Sequence, residues 1–218
     1  MLRLFLSVSD TMKVSGCLVL FCLISFLDVP VLCAEGKPTG ETKPKFCRDL
    51  ECPRYKVVQQ LESFEQRDYV ETQWVSTQFK VGFLGFGMVP SFKRLFDYIS
   101  GNNSAGLKIN MTVPVVIRYP LAKNDMATMS FFISPSVGKA PEPLNPALYL
   151  ETILPKSVYV MSFGGYALEY HYKKKAEALA KDLVNLGKHF DDSVRTTAGY
   201  NDPFTFSDRH NEVWYTAL

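Results

Sequence analysis

The feature that most narrows the fold of this chain is an order of elements that occurs twice. In the first half, YKVVQQL (55–61) and FEQRDYVETQWVSTQFKVGFL (64–84) read as extended strands. Val70, Trp74, Val75, Phe79 and Val81 supply the β-branched and aromatic residues that suit a pleated surface. A helix follows, because Phe92, Leu95, Phe96 and Ile99 fall at i, i+3, i+4 and i+7 on one face; Ser91 is placed to cap its start and Gly101 to end it. KINMTVPVVIRY (108–119) and ATMSFFIS (127–134) then read as two more strands, separated by the polar turn 122–126.

Residues 134–147 (SPSVGKAPEPLNPA) carry four prolines, and neither flank can close a core alone, so this is a loop within one domain. The order then returns. ALYLETIL (147–154) and SVYVMSFGGYALEY (157–170) read as strands, residues 172–190 as a helix, and VRTTAGY, PFTF and NEVWYTAL as extended segments. Leu179, Leu183, Leu186 and Phe190 form the apolar stripe of that helix, with Lys173, Lys174, Lys175, Glu177, Lys181 and Asp182 on its ends and outer face. Two β-β-α-β-β units in tandem predict an α+β fold with pseudo-twofold symmetry: a distorted antiparallel β-barrel with two helices packed outside. The two halves share this order with little identity of sequence.

The ends of the chain set the surroundings. Lys13 precedes the apolar run Val14 to Leu27, and Pro30, Cys33 and Ala34 follow it, which reads as a secretory signal over residues 1–34 cleaved near Ala34. The run of about fourteen residues is shorter than the roughly twenty that a membrane-spanning helix needs, so no span is expected in the mature chain. Met1 and Met12 are both possible starts. Residues 35–54 form an expected flexible leader, and the folded domain is expected over 55–218. Removing 1–34 takes away two basic and two acidic side chains, which leaves the formal charge of +2 unchanged and gives no basic stripe suited to nucleic acid.

Of five cysteines, Cys17, Cys22 and Cys33 leave with the signal. Cys47 and Cys52 remain, and in an oxidising compartment they predict a disulfide that clips the N-terminal arm. A metal pair would need two further ligands, and the intervening residues offer only carboxylates. Closing so short a loop stabilises by about 2 kcal/mol on loop-entropy grounds. The sequons at Asn102 (NNS) and Asn110 (NMT) are candidate glycosylation sites, the first in a loop after the helix and the second on an expected strand.

WVST (74–77), YISGNNSAGLKINMTVPV (98–115), YVMSFGGYA (159–167) and GYNDPFTFSDRHNEVW (199–214), in this order and spacing, resemble the SOUL or heme-binding protein family. The resemblance runs from Tyr55 to the C-terminus; the signal segment and cysteine arm lie outside it. It implies the same distorted barrel with two helices, and non-catalytic binding of heme or a related porphyrin in a hydrophobic groove beside the first helix. Met88, Phe92, Lys93 and Phe96 correspond to the groove side of that helix. The histidine proposed as a ligand in some relatives corresponds here to Asp68, and where some relatives place positive charge for heme propionates this chain has Val89 and Thr205. Lys93 is the one evident substitute. Residues 179–190 also resemble a segment suggested as an interaction helix in some relatives, though a packed amphipathic helix would carry the same pattern.

The remaining candidates read as structural. In a strand, His210 and Glu212 share a face, but Arg209, Asn211 and Glu212 suit a strand start, and Asn201, Asp202 and Pro203 are turn chemistry. His171 and His189 sit at the two ends of the second helix, and the three histidines have no ligand spacing. Residues 163–165 (FGG) lack the context of a phosphate loop and suggest a bend or bulge. No nucleophile motif or acid–base carboxylate pair stands out, which disfavours an enzyme. The expectation is a secreted, extracellular, monomeric heme- or porphyrin-binding protein; the alternative is an extracellular protein-interaction module on the same barrel that has lost the ligand.

Overall fold

The computed structural model describes residues 43–81, 87–121 and 126–218. They run in the order β1 (Tyr55–Gln60), β2 (Glu65–Tyr69), β3 (Thr72–Lys80), α1 (Met88–Ile99), β4 (Val115–Pro120), β5 (Met126–Ile133), β6 (Leu148–Ile153), β7 (Lys156–Phe163), α2 (Glu169–Asn185), β8 (Val194–Gly199) and β9 (Asn211–Thr216). The expected signal segment and most of the leader lie outside the described residues.

All nine strands join one antiparallel sheet in the order β1-β2-β7-β9-β8-β4-β5-β3-β6. Setting β1 aside, this order is unchanged when β2–β5 are exchanged with β6–β9 and read backwards, so the tandem repeat expected from the sequence is a true pseudo-twofold. Its seam is β4 against β8, with Val115 opposite Gly199 and Pro120 opposite Val194. Short links at 70–71 and 154–155 join β2 to β3 and β6 to β7, yet neither pair forms a hairpin. Each link carries the chain across to the other half: β2 pairs with β7, and β6 with β3.

Alternation along the strands sorts their side chains onto two faces. On one face, Val75, Phe79, Met129 and Phe131 meet Leu95, Tyr98 and Ile99 of α1. In the other half Tyr159, Met161, Val213 and Tyr215 meet Leu179 and Leu183 of α2. The opposite face buries Trp74, Val116, Phe132, Val158, Val160 and Trp214. Trp74 and Trp214 stand on strands four positions apart, about 19 Å in a flat sheet. They nevertheless line one cavity, so the sheet curls into a half-barrel around this face.

The N-terminal arm closes one end of that concave face. Cys47 and Cys52 are joined by a disulfide. Phe46 lies flat on His210 with ring centroids 3.9 Å apart and meets Tyr200 edge-on. The Val113 amide donates to the Glu51 carbonyl at 2.9 Å, which ties the arm to the chain after α1.

Several boundaries differ from those the pattern predicts. Helix α1 starts a turn earlier than expected; Ser91 lies inside it, donating to the Gly87 carbonyl at 2.8 Å, and is not its cap. Helix α2 spans Glu169–Asn185, ahead of the expected 172–190. Gly187, at φ +63°, stops it, with Lys188 N–H bonding the Leu183 carbonyl and Gly187 N–H the Val184 carbonyl, so the last turn closes before Phe190 is reached. The expected strand from Lys108 begins only at Val115, because the amides of Ile109 and Val113 are already bonded to the Ile99 and Glu51 carbonyls and Pro114 has none to give. Asn110 is therefore exposed outside any strand, and 203–206 is likewise loop.

Candidate functional site

On the helix-bearing face, the seam between the halves is left uncovered. The floor of the resulting groove is the outward side of β4 and β8: Val115, Ile117 and Tyr119 from one, Thr197 and Gly199 from the other. Met88 at the start of α1 forms one wall with Phe79 and Val81, and residues 167–170 and Tyr172 at the start of α2 form the other. The groove is about 540 Å³ in volume, within the range of small-molecule and cofactor sites. The pseudo-twofold explains the location, since it brings both helix N-terminal ends to the same axis.

The polar groups of the groove gather at its α2 end. Glu169 is ion-paired with Arg195, whose guanidinium lies 4.5 Å from the centre of the Tyr119 ring. Burial pushes the Tyr172 phenol up to about 12, against the pull of Arg209, and burial with the nearby Glu169 raises that of Tyr119. Both phenols are therefore protonated at neutral pH. The Tyr172 hydroxyl donates to Asn211 Oδ1 at 3.0 Å. No histidine is among the lining residues, and the described residues contain no cluster of three or more metal-ligating side chains.

Of the four residues expected at the site, Met88 alone lines the groove. Phe92 and Phe96 stand beside it on α1, with ring centroids 6.2 Å apart, and Phe92 meets Phe131 edge-on. The packing face of α1 is Ser91, Leu95, Tyr98 and Ile99, which leaves Phe92 40% and Phe96 46% exposed on its flank. They form an open aromatic ledge and are not sealed in the core. Lys93 faces solvent and pairs with Asp97 at 2.8 Å.

His210 and His171 have structural partners. His210 Nε2 is 2.7 Å from Glu212 Oε1 beneath the Phe46 ring, and His171 Nδ1 accepts the Leu168 amide at the start of α2. Asp68 is exposed and accepts a hydrogen bond from Ser157. The floor residues Val115, Ile117 and Tyr119 and the wall residue Leu168 were not singled out by the sequence reading, although the two-residue alternation in VPVVIRY already puts the first three on one face.

Comparison with known proteins sets this geometry in a family. Residues 50–216 match the SOUL heme-binding protein family. The chain belongs to that family. Among curated relatives, human heme-binding protein 2 is 30% identical over 184 residues, covering 80% of this chain and 90% of its own length. Heme-binding protein 1 of Xenopus tropicalis is 30% identical over 159 residues, covering 70% of this chain and 83% of its own. Solved structures share the fold at much lower identity. The C-terminal domain of EcmrR aligns with a TM-score of 0.55 at 9% identity over 73% of this chain and 99% of its own. An uncharacterized conserved protein from Listeria innocua aligns at 0.51 and 10% identity over 70% and 91%. The SOUL match begins just before Cys52, so the Cys47–Cys52 clip straddles its edge.

Proposed function

We propose that this SOUL-family chain is a secreted, non-catalytic binding protein that takes heme or a related porphyrin into the groove on its pseudo-twofold axis. The observation that carries the reading is a groove of about 540 Å³ with an apolar floor, bordered on α1 by a half-exposed aromatic ledge. The residues present fit the group: Val115, Ile117, Met88 and Leu168 offer apolar contact to a flat macrocycle, and Phe92 and Phe96 extend that contact outward. Met88, the Glu169 carboxylate and the phenols of Tyr119, Tyr170 and Tyr172 are the groups lining the groove that could reach iron, with no histidine among them, so the binding expected is dominated by ring contact. The names of the curated relatives, heme-binding proteins 1 and 2, agree with this ligand class.

The extracellular location rests on the apolar segment Val14 to Leu27, the Cys47–Cys52 disulfide and the two sequons, whose Asn102 and Asn110 are both exposed. Hemin titrated into residues 35–218 is expected to give a saturable Soret shift at about one equivalent, in keeping with a single such groove. A linear, unsaturating response at micromolar hemin would overturn the ligand. A second reading, a protein-interaction module without tetrapyrrole, is favoured by one observation: Phe204 and Phe206 are 82% and 80% exposed on the loop between β8 and β9. A protein that stays colourless after secretion into heme-supplemented medium would support that reading.

A further inference from the structure

The opposite face of the same seam carries a second cavity. Because side chains alternate, Val115, Ile117 and Tyr119 point into the groove, while Val116 and Arg118 point to the concave side. The arm with Phe46 and Cys47 fills one end of that concave side. At the other end a hollow of about 40 Å³ remains. That is room for about three water-sized groups. Its floor is buried and apolar: Trp74, Val116, Val158 and Trp214. Its rim includes Val70 and Leu154, one from each of the two links that cross between the halves, together with Lys156.

Of the two cations at the rim, one has a direct ion pair and the other does not. Arg118 is engaged by Glu151. The Lys156 ammonium meets only the Thr216 hydroxyl, at 3.4 Å, and has no carboxylate at ion-pair distance among the described residues. Partial burial and the neighbouring Arg118 push the Lys156 pKa below its ordinary value, outweighing the opposite pull of the more distant Glu151 and Asp191 carboxylates. An indole-lined hollow a few atoms deep, with one ammonium free of a direct ion pair at its mouth, matches a short aliphatic chain ending in a negative group.

We infer that this cavity is a second ligand site, separate from the porphyrin groove, for a short-chain aliphatic carboxylate whose tail rests on Trp74 and Trp214 and whose carboxylate meets Lys156. Long chains do not fit the depth, and neutral chains leave Lys156 unpaired. The inference does not rest on heme binding, since the two cavities lie on opposite faces of the sheet.

The chain has only two tryptophans, and both line this cavity, so intrinsic fluorescence reports on it. Butanoate titrated into residues 35–218 should change tryptophan emission saturably. Butanol should give a weaker response, and Lys156→Gln should weaken butanoate binding about tenfold or more while leaving thermal unfolding unchanged, since the residue sits at the exposed rim. Absence of a saturable change would overturn the site. Equal binding of butanol and butanoate to the unaltered protein, or unchanged butanoate binding by Lys156→Gln, would overturn the role of the ammonium and with it the ligand class.

Discussion

Arg67 on β2 and Glu212 on β9 meet at 3.0 Å across the intervening strand β7, and both are closed off from solvent. Around them Glu212 also accepts hydrogen bonds from the Tyr200 hydroxyl and Trp214 Nε1, and His210 Nε2 approaches at 2.7 Å. The pair ties the N-terminal strands to the C-terminal hairpin inside the concave face. It also accounts for the histidine and acid that stand out in the last block of the sequence: they belong to a packed polar network rather than to a ligand site.

Removing one partner should expose the cost of the other. Glu212→Leu leaves Arg67 buried without its main counter-charge, and a destabilisation of about 3–5 kcal/mol is expected in urea denaturation. The double variant Arg67→Met/Glu212→Leu should recover most of that loss. Near-wild-type stability of the single variant would show that the network is solvated in solution.

Acid should weaken the same network. Burial alone would raise the Glu212 carboxyl, but the Arg67 guanidinium and the hydrogen bonds from His210 and Trp214 outweigh it and hold the group at about 2, below an ordinary value of 4.5. A depressed folded pKa gives stability that is complete above 4.5 and is lost as pH falls from 4.5 towards 2. The loss from this group should be about 3 kcal/mol. Denaturation midpoints measured from pH 6 down to pH 2 should fall in that window, and Glu212→Gln should flatten the fall.

The arm should be a separable contribution. Cys47→Ser/Cys52→Ser is expected to cost about 2 kcal/mol from loop entropy. Phe46→Ala should lower the denaturation midpoint further, because it uncovers His210 and Tyr200. An unchanged midpoint in both variants would mean that the arm does not seal this end of the face.

Both sequons should be used if the chain passes through the secretory pathway. Asn102→Gln and Asn110→Gln are each expected to remove one glycosidase-sensitive mass step from protein secreted by mammalian cells. Asn110 is open to modification because the strand expected at Lys108 starts only at Val115. A single step, absent from Asn102→Gln alone, would show that only the first site is used.

The repeat of elements was legible in the sequence because strand and helix periods differ sharply, and the disulfide was legible from the two cysteines left after the secretory signal together with the oxidising compartment that signal implies. The exchange of β2 and β6 between the halves was not, since links of two residues fit a hairpin equally well. Helix α1 showed its apolar stripe, but periodicity cannot tell the residues at its centre from those at its edge. Ser91, Leu95, Tyr98 and Ile99 pack inward while Phe92 and Phe96 sit roughly 75° and 115° from the centre of that face, on the flank, half-exposed. The end of α2 was missed because Leu186 and Phe190 continue its stripe past Gly187, and a backbone stop overrides a side-chain pattern. The groove itself was only partly legible: Met88 was identified, whereas Leu168 comes to the site through the pseudo-twofold, which no local window contains.

The most direct test of a porphyrin in the groove on the pseudo-twofold axis is to record amide NMR spectra of the isotope-labelled protein with paramagnetic hemin and with its diamagnetic gallium counterpart. The amides of Met88, Val115, Ile117 and Leu168 should be selectively broadened by the iron. Broadening centred on His210 and Phe46, or spread evenly over the surface, would contradict the account.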